Sequence, residues 1–312
     1  MKDPRARVIR VAIAQVAPVY YNKSASLTKA LEVVRDAASR GAALIAFGET
    51  WLPGYPVWLD VCPNAALWNH EPTKDVFAEL RENSISVRGL EVAQLAAAAR
   101  EYQIGIIIGI NERVDDGPGQ NTLYNSLLMF SPDGGVANHH PKLVPTFAER
   151  LVWAPGDGRG LASVDIADAR IGGLICWEHW MPLARMAMHQ AGEHIHVAVW
   201  PTANEMAQLA SRHYAFEGRC FVLAVGLMMR TADIPARLPH NIQEHWVERG
   251  GSSIIGPEAG YVVEPIYDRE QLIVADLDLS MIDRECMNLD VTGHYARPDI
   301  FSFSHRTSGI EH

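Results

Sequence analysis

Apolar and polar residues are arranged along the chain in two distinct patterns. Three apolar runs have the length of buried strands, namely 8–16, 42–47 and 104–110. Two longer segments, 24–40 and 90–102, repeat apolar residues at steps of three and four, which predicts helices with one buried face. This order predicts strands that are buried on both faces and connected by helices.

The rest of the chain combines hairpins with the same alternation. A turn of sequence SPDGG joins predicted strands 121–130 and 135–140, and a second predicted hairpin joins 161–166 to 170–175. Further helices are predicted at 182–192 and 205–217, and further strands at 194–200, from Phe221 onward, and near 252–255, 261–265 and 272–277. This mixture predicts a layered α/β protein in one domain and argues against an all-parallel barrel.

The charge balance and the apolar runs exclude several classes of function. The 312 residues include 27 Lys and Arg against 37 Asp and Glu, a formal net charge of −10. An acidic chain is a poor electrostatic partner for nucleic acid or for an anionic membrane. The longest apolar run, 220–229, is shorter than the roughly 20 residues that a membrane span needs. Arg10 and Gln15 interrupt the apolar N-terminal stretch, so no signal peptide is expected.

The cysteines, which lie at 62, 176, 220 and 286, form no CxxC pair and match no metal-binding framework. A chain of this size needs no disulfides, so we expect reduced thiols and a cytoplasmic protein. No phosphate-binding GxGxxG or GxxxxGK[ST] motif follows a strand, so the sequence does not support nucleotide binding.

Three reactive side chains come directly after three different predicted strands: Glu49, Lys142 and Cys176. Strand ends are where α/β folds place their sites, so we expect these residues to share one pocket. Cys176 precedes a helix entry, where a thiolate is favoured, and is the candidate nucleophile. Glu49 stands among apolar and aromatic neighbours that raise a carboxyl pKa, which suits a general base. Lys142 would then stabilise a developing anion.

Each of these residues also has a structural interpretation. A lone cysteine is more often a buried, inert side chain, a glutamate is often part of a salt bridge, and most lysines are solvated. Glu149, seven residues after Lys142, is either its carboxylate partner or exposed. His179, three residues after Cys176, offers a rival Cys–His pair.

Other side chains near these positions have two interpretations as well. His194 and His196 share one strand face and could bind a metal, but without a third ligand we expect packing or hydrogen bonding. Aromatic residues are concentrated in the loops after Glu49 and Cys176, where they either line a pocket or pack in the core. They are Trp51, Tyr55, Trp58, Trp177 and Trp180.

Four segments resemble motifs of the nitrilases, within the carbon–nitrogen hydrolase superfamily. They are FGETWLPGYPVW (47–58), HPKLVPTFAERLVW (140–153), ICWEHWMPL (175–183) and GHYARPDIF (293–301). The resemblance implies a four-layer α-β-β-α sandwich in a single domain over 1–300, with a short C-terminal tail over 301–312. It also implies a homodimer that extends the sandwich and assembles into larger homo-oligomers.

The resemblance implies a role for each candidate: Glu49 the base, Lys142 the cation, Cys176 the nucleophile and Glu149 a fourth catalytic residue. The implied substrate is a small-molecule nitrile, hydrolysed to the acid and ammonia through a cysteine thioimidate and thioester, without a metal or organic cofactor. Expected substrate-binding residues are Trp51, Tyr55, Trp177, His179 and Trp200.

The cysteine motif departs from the common pattern of the relatives. It reads WEHWMP where WENYMP is frequent, so His179 and Trp180 are expected to tune the pocket. An amidase or carbamoylase, or a cyanide-degrading enzyme, would use the same three residues. A non-catalytic scaffold is the remaining alternative, from another class of protein.

Overall fold

The structure, a computed structural model, describes residues 7–117 and 119–307. The strands, numbered in chain order, are β1 (Val8–Gln15), β2 (Leu44–Phe47), β3 (Gly105–Arg113), β4 (Leu123–Phe130), β5 (Val136–Pro141), β6 (Val164–Ile166), β7 (Ala169–Ile175), β8 (Ile195–Trp200), β9 (Phe221–Gly226), β10 (Met228–Arg230), β11 (Trp246–Ile255), β12 (Tyr261–Tyr267) and β13 (Gln271–Asp278). The helices are α1 (Lys23–Ser39), α2 (Trp58–Val61), α3 (Glu71–Asn83), α4 (Leu90–Tyr102), α5 (Pro182–Gln190), α6 (Glu205–Gly218) and α7 (Ser280–Glu285).

The strands form two mixed sheets. The first has the order β13-β1-β2-β3-β4-β5, with β1, β2 and β3 parallel and the outer pairs antiparallel. The second has the order β10-β11-β9-β8-β7-β6, with β7, β8 and β9 parallel and β12 paired to β11. Each sheet thus has a parallel centre, as the predicted strand–helix–strand units require.

The two sheets pack face to face and helices cover their outer faces. Val11, Leu44 and Ile107 of the first sheet share one apolar cluster with Ile171 and Val197 of the second. The residues that alternate with them on β1, β2 and β3 share a second cluster with apolar residues of α1, α3 and α4. Helices α5 and α6 contribute to the first cluster from the other side. The predicted four-layer α-β-β-α sandwich is therefore confirmed.

Most predicted elements are present, and the differences have local causes. The predicted strand 161–166 begins only at Val164, because Gly158–Gly160 forms a 3₁₀ turn just before it. Helix α3 was not predicted, since only Val76 and Leu80 are buried along it and its apolar repeat is weak. Helices α2 and α7, of four and six residues, are too short to give a periodic signal.

A glycine on β3 makes room for the turn that carries Glu49. A Cβ at Gly109 would lie 2.4 Å from both the Gly48 carbonyl oxygen and the Thr50 nitrogen. Thr50 adopts a left-handed backbone conformation, with φ +43°. The chain can turn sharply after β2 because the neighbouring strand has no side chain at that point.

The predicted tail, 301–312, lies partly outside the described residues, which end at 307. Within the described part, Phe303 packs against the apolar cluster between the sheets, and the Arg306 carbonyl oxygen passes over Gly158. The boundary at residue 300 stays a prediction. None of the helices in the described residues has the length and apolar character to cross a membrane.

Candidate active site

Glu49, Lys142 and Cys176 each stand in a turn directly after a strand. Glu49 follows β2 and Lys142 follows β5, so both come from the first sheet. Cys176 follows β7 of the second sheet and has φ +53°, a conformation that a side chain with a Cβ adopts only under constraint. The face-to-face packing of the sheets brings the three turns to one edge of the sandwich.

The Lys142 ammonium lies between two carboxylates. Its Nζ is 2.9 Å from Glu49 Oε1 and 2.8 Å from Glu149 Oε2. Its side chain is 1% exposed, which excludes the interpretation of a solvated surface lysine. Burial alone would lower the pKa of Lys142, but Glu49, Cys176 and Glu149 raise it above its ordinary value. The amine is therefore protonated at neutral pH in this position.

Glu49 has one oxygen in hydrogen bonds and one without a partner. Its Oε1 accepts from Asn125 Nδ2 at 2.7 Å and from Lys142 Nζ, whereas Oε2 has no hydrogen-bond partner among the described residues. Burial and the Glu149 carboxylate raise the pKa of Glu49, while Lys142 opposes them. A buried carboxylate with raised pKa and a free oxygen is suited to accept a proton.

Glu149 is the anchored member of the pair. Its Oε1 accepts from the Tyr55 hydroxyl at 2.9 Å and its Oε2 from the Thr146 N–H at 2.6 Å. It lies on a 3₁₀ turn, Phe147–Leu151, and is buried. The structure thus favours the interpretation of Glu149 as the carboxylate partner of Lys142, and not as an exposed residue.

Cys176 carries a neutral thiol in this environment. Burial and the Glu49 carboxylate raise its pKa well above the ordinary value, and Lys142 and the Trp177 backbone N–H act in the opposite direction. A thiol of this kind becomes nucleophilic only when a base removes its proton. Glu49 and Lys142 are a carboxylate and a cation that both act electrostatically on this thiol.

Glu178 connects the two turns, and sequence reasoning missed it. Its carboxylate accepts from the N–H groups of Ile175 and Leu143, both at 2.7 Å, and from His140 Nε2 at 2.8 Å. One side chain therefore holds the chain on both sides of the site, next to Cys176 and next to Lys142. The only signal in the sequence is its spacing, three residues after the last residue of a strand.

His179 does not pair with the Cys176 thiol. Its Nδ1 bonds the Cys176 carbonyl oxygen at 2.7 Å and its Nε2 lies 2.9 Å from His196 Nε2, so both ring nitrogens are occupied. Burial and the neighbouring His196 lower the pKa of His179 to about 3. A neutral ring without a free nitrogen is a poor base, and this geometry argues against the rival Cys–His mechanism. Trp200 stacks on His179 at 4.8 Å between ring centroids.

The predicted substrate-binding residues lie in different surroundings. Trp51 is fully buried and its indole N–H donates to the Val16 carbonyl at 2.6 Å. Tyr55 bonds Glu149, at the site itself, and Trp177 is 57% exposed. Contact between any of these side chains and a substrate stays a prediction.

His194 and His196 do not form a pair. His194 Nδ1 accepts from the Arg170 N–H at 3.1 Å, whereas the His196 ring bonds Glu193 and His179. Both rings are engaged in hydrogen bonds with protein groups. The described residues contain no group of three or more His, Cys, Asp and Glu side chains arranged to hold a metal.

Comparisons with known proteins agree with the fold. The family described as carbon–nitrogen hydrolase matches residues 10–284. An aliphatic nitrilase of Sinorhizobium fredii is 40% identical over 94% of this chain and 94% of its own length. A bifunctional nitrilase/nitrile hydratase of Lupinus angustifolius is 36% identical over 96% of this chain and 86% of its own. A solved carbon–nitrogen hydrolase from Helicobacter pylori G27 has a TM-score of 0.70 at 18% identity, covering 91% of this chain and 94% of that chain.

The fold and the matches define a hydrolase that acts on carbon–nitrogen bonds other than peptide bonds. The chain belongs to the carbon–nitrogen hydrolase family. The resemblance noted from the four sequence motifs is confirmed.

Proposed function

We propose that the protein is a nitrilase, which converts R–C≡N and two water molecules into R–COOH and ammonia. The observation that carries the proposal is the buried Lys142 ammonium held between Glu49 and Glu149, both of which, like Lys142, interact electrostatically with the Cys176 thiol. The identity to nitrilases over nearly the whole chain supports the nitrile as substrate.

The first half of the reaction forms a thioimidate. Glu49 takes the proton of the Cys176 thiol at its free Oε2, and the thiolate adds to the nitrile carbon. Negative charge gathers on the nitrogen, where the Lys142 ammonium and the Trp177 N–H stabilise it. Glu49 returns the proton to that nitrogen, which gives R–C(=NH)–S–Cys176. A thiol suits this step because a nitrile carbon is a weak electrophile.

The second half hydrolyses the intermediate in two steps. Glu49 removes a proton from water and passes it to the thioimidate nitrogen as the hydroxide adds to the carbon. The tetrahedral adduct then gives up its hydroxyl proton, which Glu49 transfers to the amino group, and ammonia leaves as the thioester carbonyl forms. The thioester that remains reacts with a second water, which releases the acid and restores the Cys176 thiol. Glu49 thus acts as base and acid in turn, which a raised carboxyl pKa favours. Glu149 keeps Lys142 charged and in position throughout.

An amidase uses the same residues on a C–N single bond and is the second candidate. Release of an amide from a nitrile is a separate side reaction, and the Lupinus relative, which is named as a nitrilase and a nitrile hydratase, supports it. Collapse of the tetrahedral adduct with loss of Cys176 instead of ammonia would release an amide. We therefore expect the acid as the main product, and the amide fraction has to be measured.

The test is ammonia release from aliphatic, aryl and arylaliphatic nitriles, each assayed beside its amide. We expect turnover of nitriles to acids that Cys176→Ala abolishes. Cys62→Ala, which removes a buried thiol of the second apolar cluster, is the matched control and should remain active. Turnover of amides alone would show that the protein is an amidase. Release of formate or formamide from cyanide would show that it is a cyanide-degrading enzyme. No turnover, together with an unreactive Cys176, would favour the scaffold.

We also propose that the protein is a homodimer that assembles further. Several large apolar side chains on α5 and α6 are exposed, between 46% and 71%, and would be covered in a dimer. They are Leu183, Met206, Leu209 and Phe216. Light scattering should give a mass at least twice 34.5 kDa, and a monomer at working concentration would contradict this proposal.

A cytoplasmic location is proposed as well. The four cysteines all lie among the described residues and are free thiols, which the reducing cytoplasm maintains. Fractionation of the producing cell tests it.

A further inference from the structure

A chain of buried polar side chains runs from Cys176 along the outer face of the second sheet. The Cys176 carbonyl oxygen is 2.7 Å from His179 Nδ1, and His179 Nε2 is 2.9 Å from His196 Nε2. His196 Nδ1 is 2.9 Å from a Glu193 oxygen, and the Tyr214 hydroxyl donates to the same carboxyl group. All five residues are at most 5% exposed. The proposed mechanism uses none of them except Cys176.

The hydrogen atoms of this chain can be assigned from its geometry. A carbonyl oxygen only accepts, so His179 Nδ1 carries a hydrogen. A neutral His179 then has a lone pair on Nε2. The contact between the two Nε2 atoms needs one hydrogen, and His196 must supply it.

The contact between His196 Nδ1 and the Glu193 carboxyl group holds the proton that can be lost by titration. If His196 is neutral, its Nδ1 accepts and Glu193 must be protonated. If Glu193 is ionised, His196 must carry both of its hydrogens. The two arrangements contain the same number of protons and differ only in the position of one. If that proton is lost, two lone pairs face each other at one contact, and the chain of hydrogen bonds to Cys176 is broken.

We propose that Glu193, His196 and His179 form a positioning network that holds the Cys176 peptide in its turn, and that the network works only while Glu193 and His196 share one proton. The inference rests on the proposed role of Cys176 as nucleophile. Cys176 has φ +53°, which has to be maintained by surrounding contacts. Glu178 bonds the Ile175 N–H, which precedes Cys176 in the chain, and His179 bonds the carbonyl oxygen of Cys176 itself.

The surroundings of Glu193 favour retention of the proton at neutral pH. Burial raises the pKa of Glu193 to about 8, while Tyr214 and His189 act against this shift. A Cβ at Gly172 would lie 1.9 Å from Glu193 Oε2, so that glycine leaves the room for the carboxyl group. The titratable groups that face Glu193 are His196 on β8, Tyr214 on α6, His189 on α5 and Cys220 before β9.

The network has a route for proton exchange with solvent. Glu193 and His189 line a cavity of about 220 Å³ that also includes Arg170, His194 and Glu217. The cavity lies at the start of β8, whereas Cys176 follows the end of β7. The proton can therefore leave without passing through the proposed active site.

The decisive variant is Glu193→Gln. A glutamine amide donates to His196 Nδ1 as a protonated glutamate would, accepts from Tyr214, and does not titrate. In the wild-type enzyme, kcat should fall about tenfold for each pH unit above the pKa of the network. For the Glu193→Gln variant, the kcat measured at about pH 9 should lie within about twofold of the kcat of the same variant at pH 7. Glu264→Gln, an exposed glutamate on β12, should keep the wild-type profile.

Identical pH profiles for the wild type and Glu193→Gln would overturn the proposal and leave the network with a merely structural role. Nitrogen NMR of the histidine rings gives a second readout that needs no turnover. It should show a hydrogen on Nδ1 of His179. The hydrogen bond from this Nδ1–H to the Cys176 carbonyl oxygen should be lost as the pH passes the titration of Glu193. A protein that hydrolyses no nitrile but shows this titration would contradict the proposed function alone. A His179 ring with its hydrogen on Nε2 would contradict the network alone.

Discussion

At the scale of single residues, each charge in the site is tolerable only because of its neighbours. Lys142 has two carboxylates within 3.0 Å and almost no contact with solvent. Removal of one partner from a buried pair leaves an uncompensated charge, which costs about 3–5 kcal/mol. Substitutions that keep the shape and the hydrogen bonds of the site are therefore more informative than truncations.

Glu49→Gln is such a substitution. The amide oxygen can still accept from Lys142 and Asn125, so the fold should be retained. The base is lost, and we expect kcat on a nitrile to fall by about 10²–10⁴. Steady-state kinetics and near-ultraviolet circular dichroism measure the two effects, with Glu264→Gln as control. A Glu49→Gln enzyme that keeps most of its kcat would show that the carboxylate is structural.

Residues that follow strands could be predicted from the sequence, as could Glu149, which lies only seven positions from its partner Lys142, but the distant partners could not. Glu49, Lys142 and Cys176 each have a local signal, a reactive side chain just past an apolar run. Asn125 bonds Glu49 across 76 positions, and Glu178 bonds Leu143 across 35. Such contacts depend on how the sheets pair, which the local sequence does not record. The sequence places His179 near the Cys176 thiol, but it does not show that the ring bonds the Cys176 carbonyl oxygen and His196 on the neighbouring strand.

At the scale of elements, the site depends on the turns after β5 and β7 being held together. Glu178 joins them, since it accepts from an N–H group in each. The Lys142 backbone also bonds Asn125 and Gly156, but those contacts do not reach the turn after β7. Within the packing of the two sheets, this carboxylate therefore helps to fix the relative position of Lys142 and Cys176.

Glu178→Gln should disturb both turns. A glutamine has one accepting oxygen, so its NH₂ group would face the N–H of Ile175 or of Leu143. We expect the free energy of unfolding to fall by about 1.5–3 kcal/mol, the usual range for a hydrogen bond to a charged group. Urea denaturation gives this value, and kcat should decrease with it. A change below about 0.5 kcal/mol, as expected for the exposed Glu264→Gln, would contradict the bridging role.

Long amphipathic segments were predicted better than polar ones. Helix α4 has the predicted bounds, 90–102, because Val92, Leu95 and Ala99 form a buried stripe. Helix α3 buries little and has no such stripe. Its position follows from contacts with the rest of the second apolar cluster, which sequence periodicity does not reveal.

At the scale of the whole molecule, the proposed site exists only when both sheets are packed. Two of its residues come from the first sheet and the nucleophile comes from the second. The hydrophobic pattern predicted a layered α/β protein, but the resemblance, and not the pattern, implied the four-layer sandwich. Periodicity shows that a strand is buried on both faces without showing what covers each face.

Buried carboxyl groups should make the molecule less stable at alkaline pH. Burial raises the pKa of Glu248 to about 8, with Asp60 and Glu49 adding to the shift and Thr202 opposing it. The folded state therefore binds this proton more tightly than the unfolded state, whose glutamate titrates near 4.5. Stability should fall as the pH rises between these two values, and remain low above them.

Glu248→Gln removes the part of this pH dependence that Glu248 contributes. The variant should have a free energy of unfolding higher than that of the wild type by a few kcal/mol at about pH 9, and a smaller difference at about pH 5. Urea denaturation at the two pH values measures it. Equal pH dependence in the variant and the wild type would show that Glu248 does not carry the penalty.

In the proposed mechanism, nitrile hydrolysis passes through a covalent bond to Cys176. Rapid acid quenching during turnover of a nitrile, followed by peptide mass spectrometry, tests it most directly. We expect the acyl mass of the substrate on the peptide that contains Cys176, and no adduct on Cys62, Cys220 or Cys286. Turnover at a normal rate with no adduct on Cys176, or with one on another residue, would contradict the mechanism.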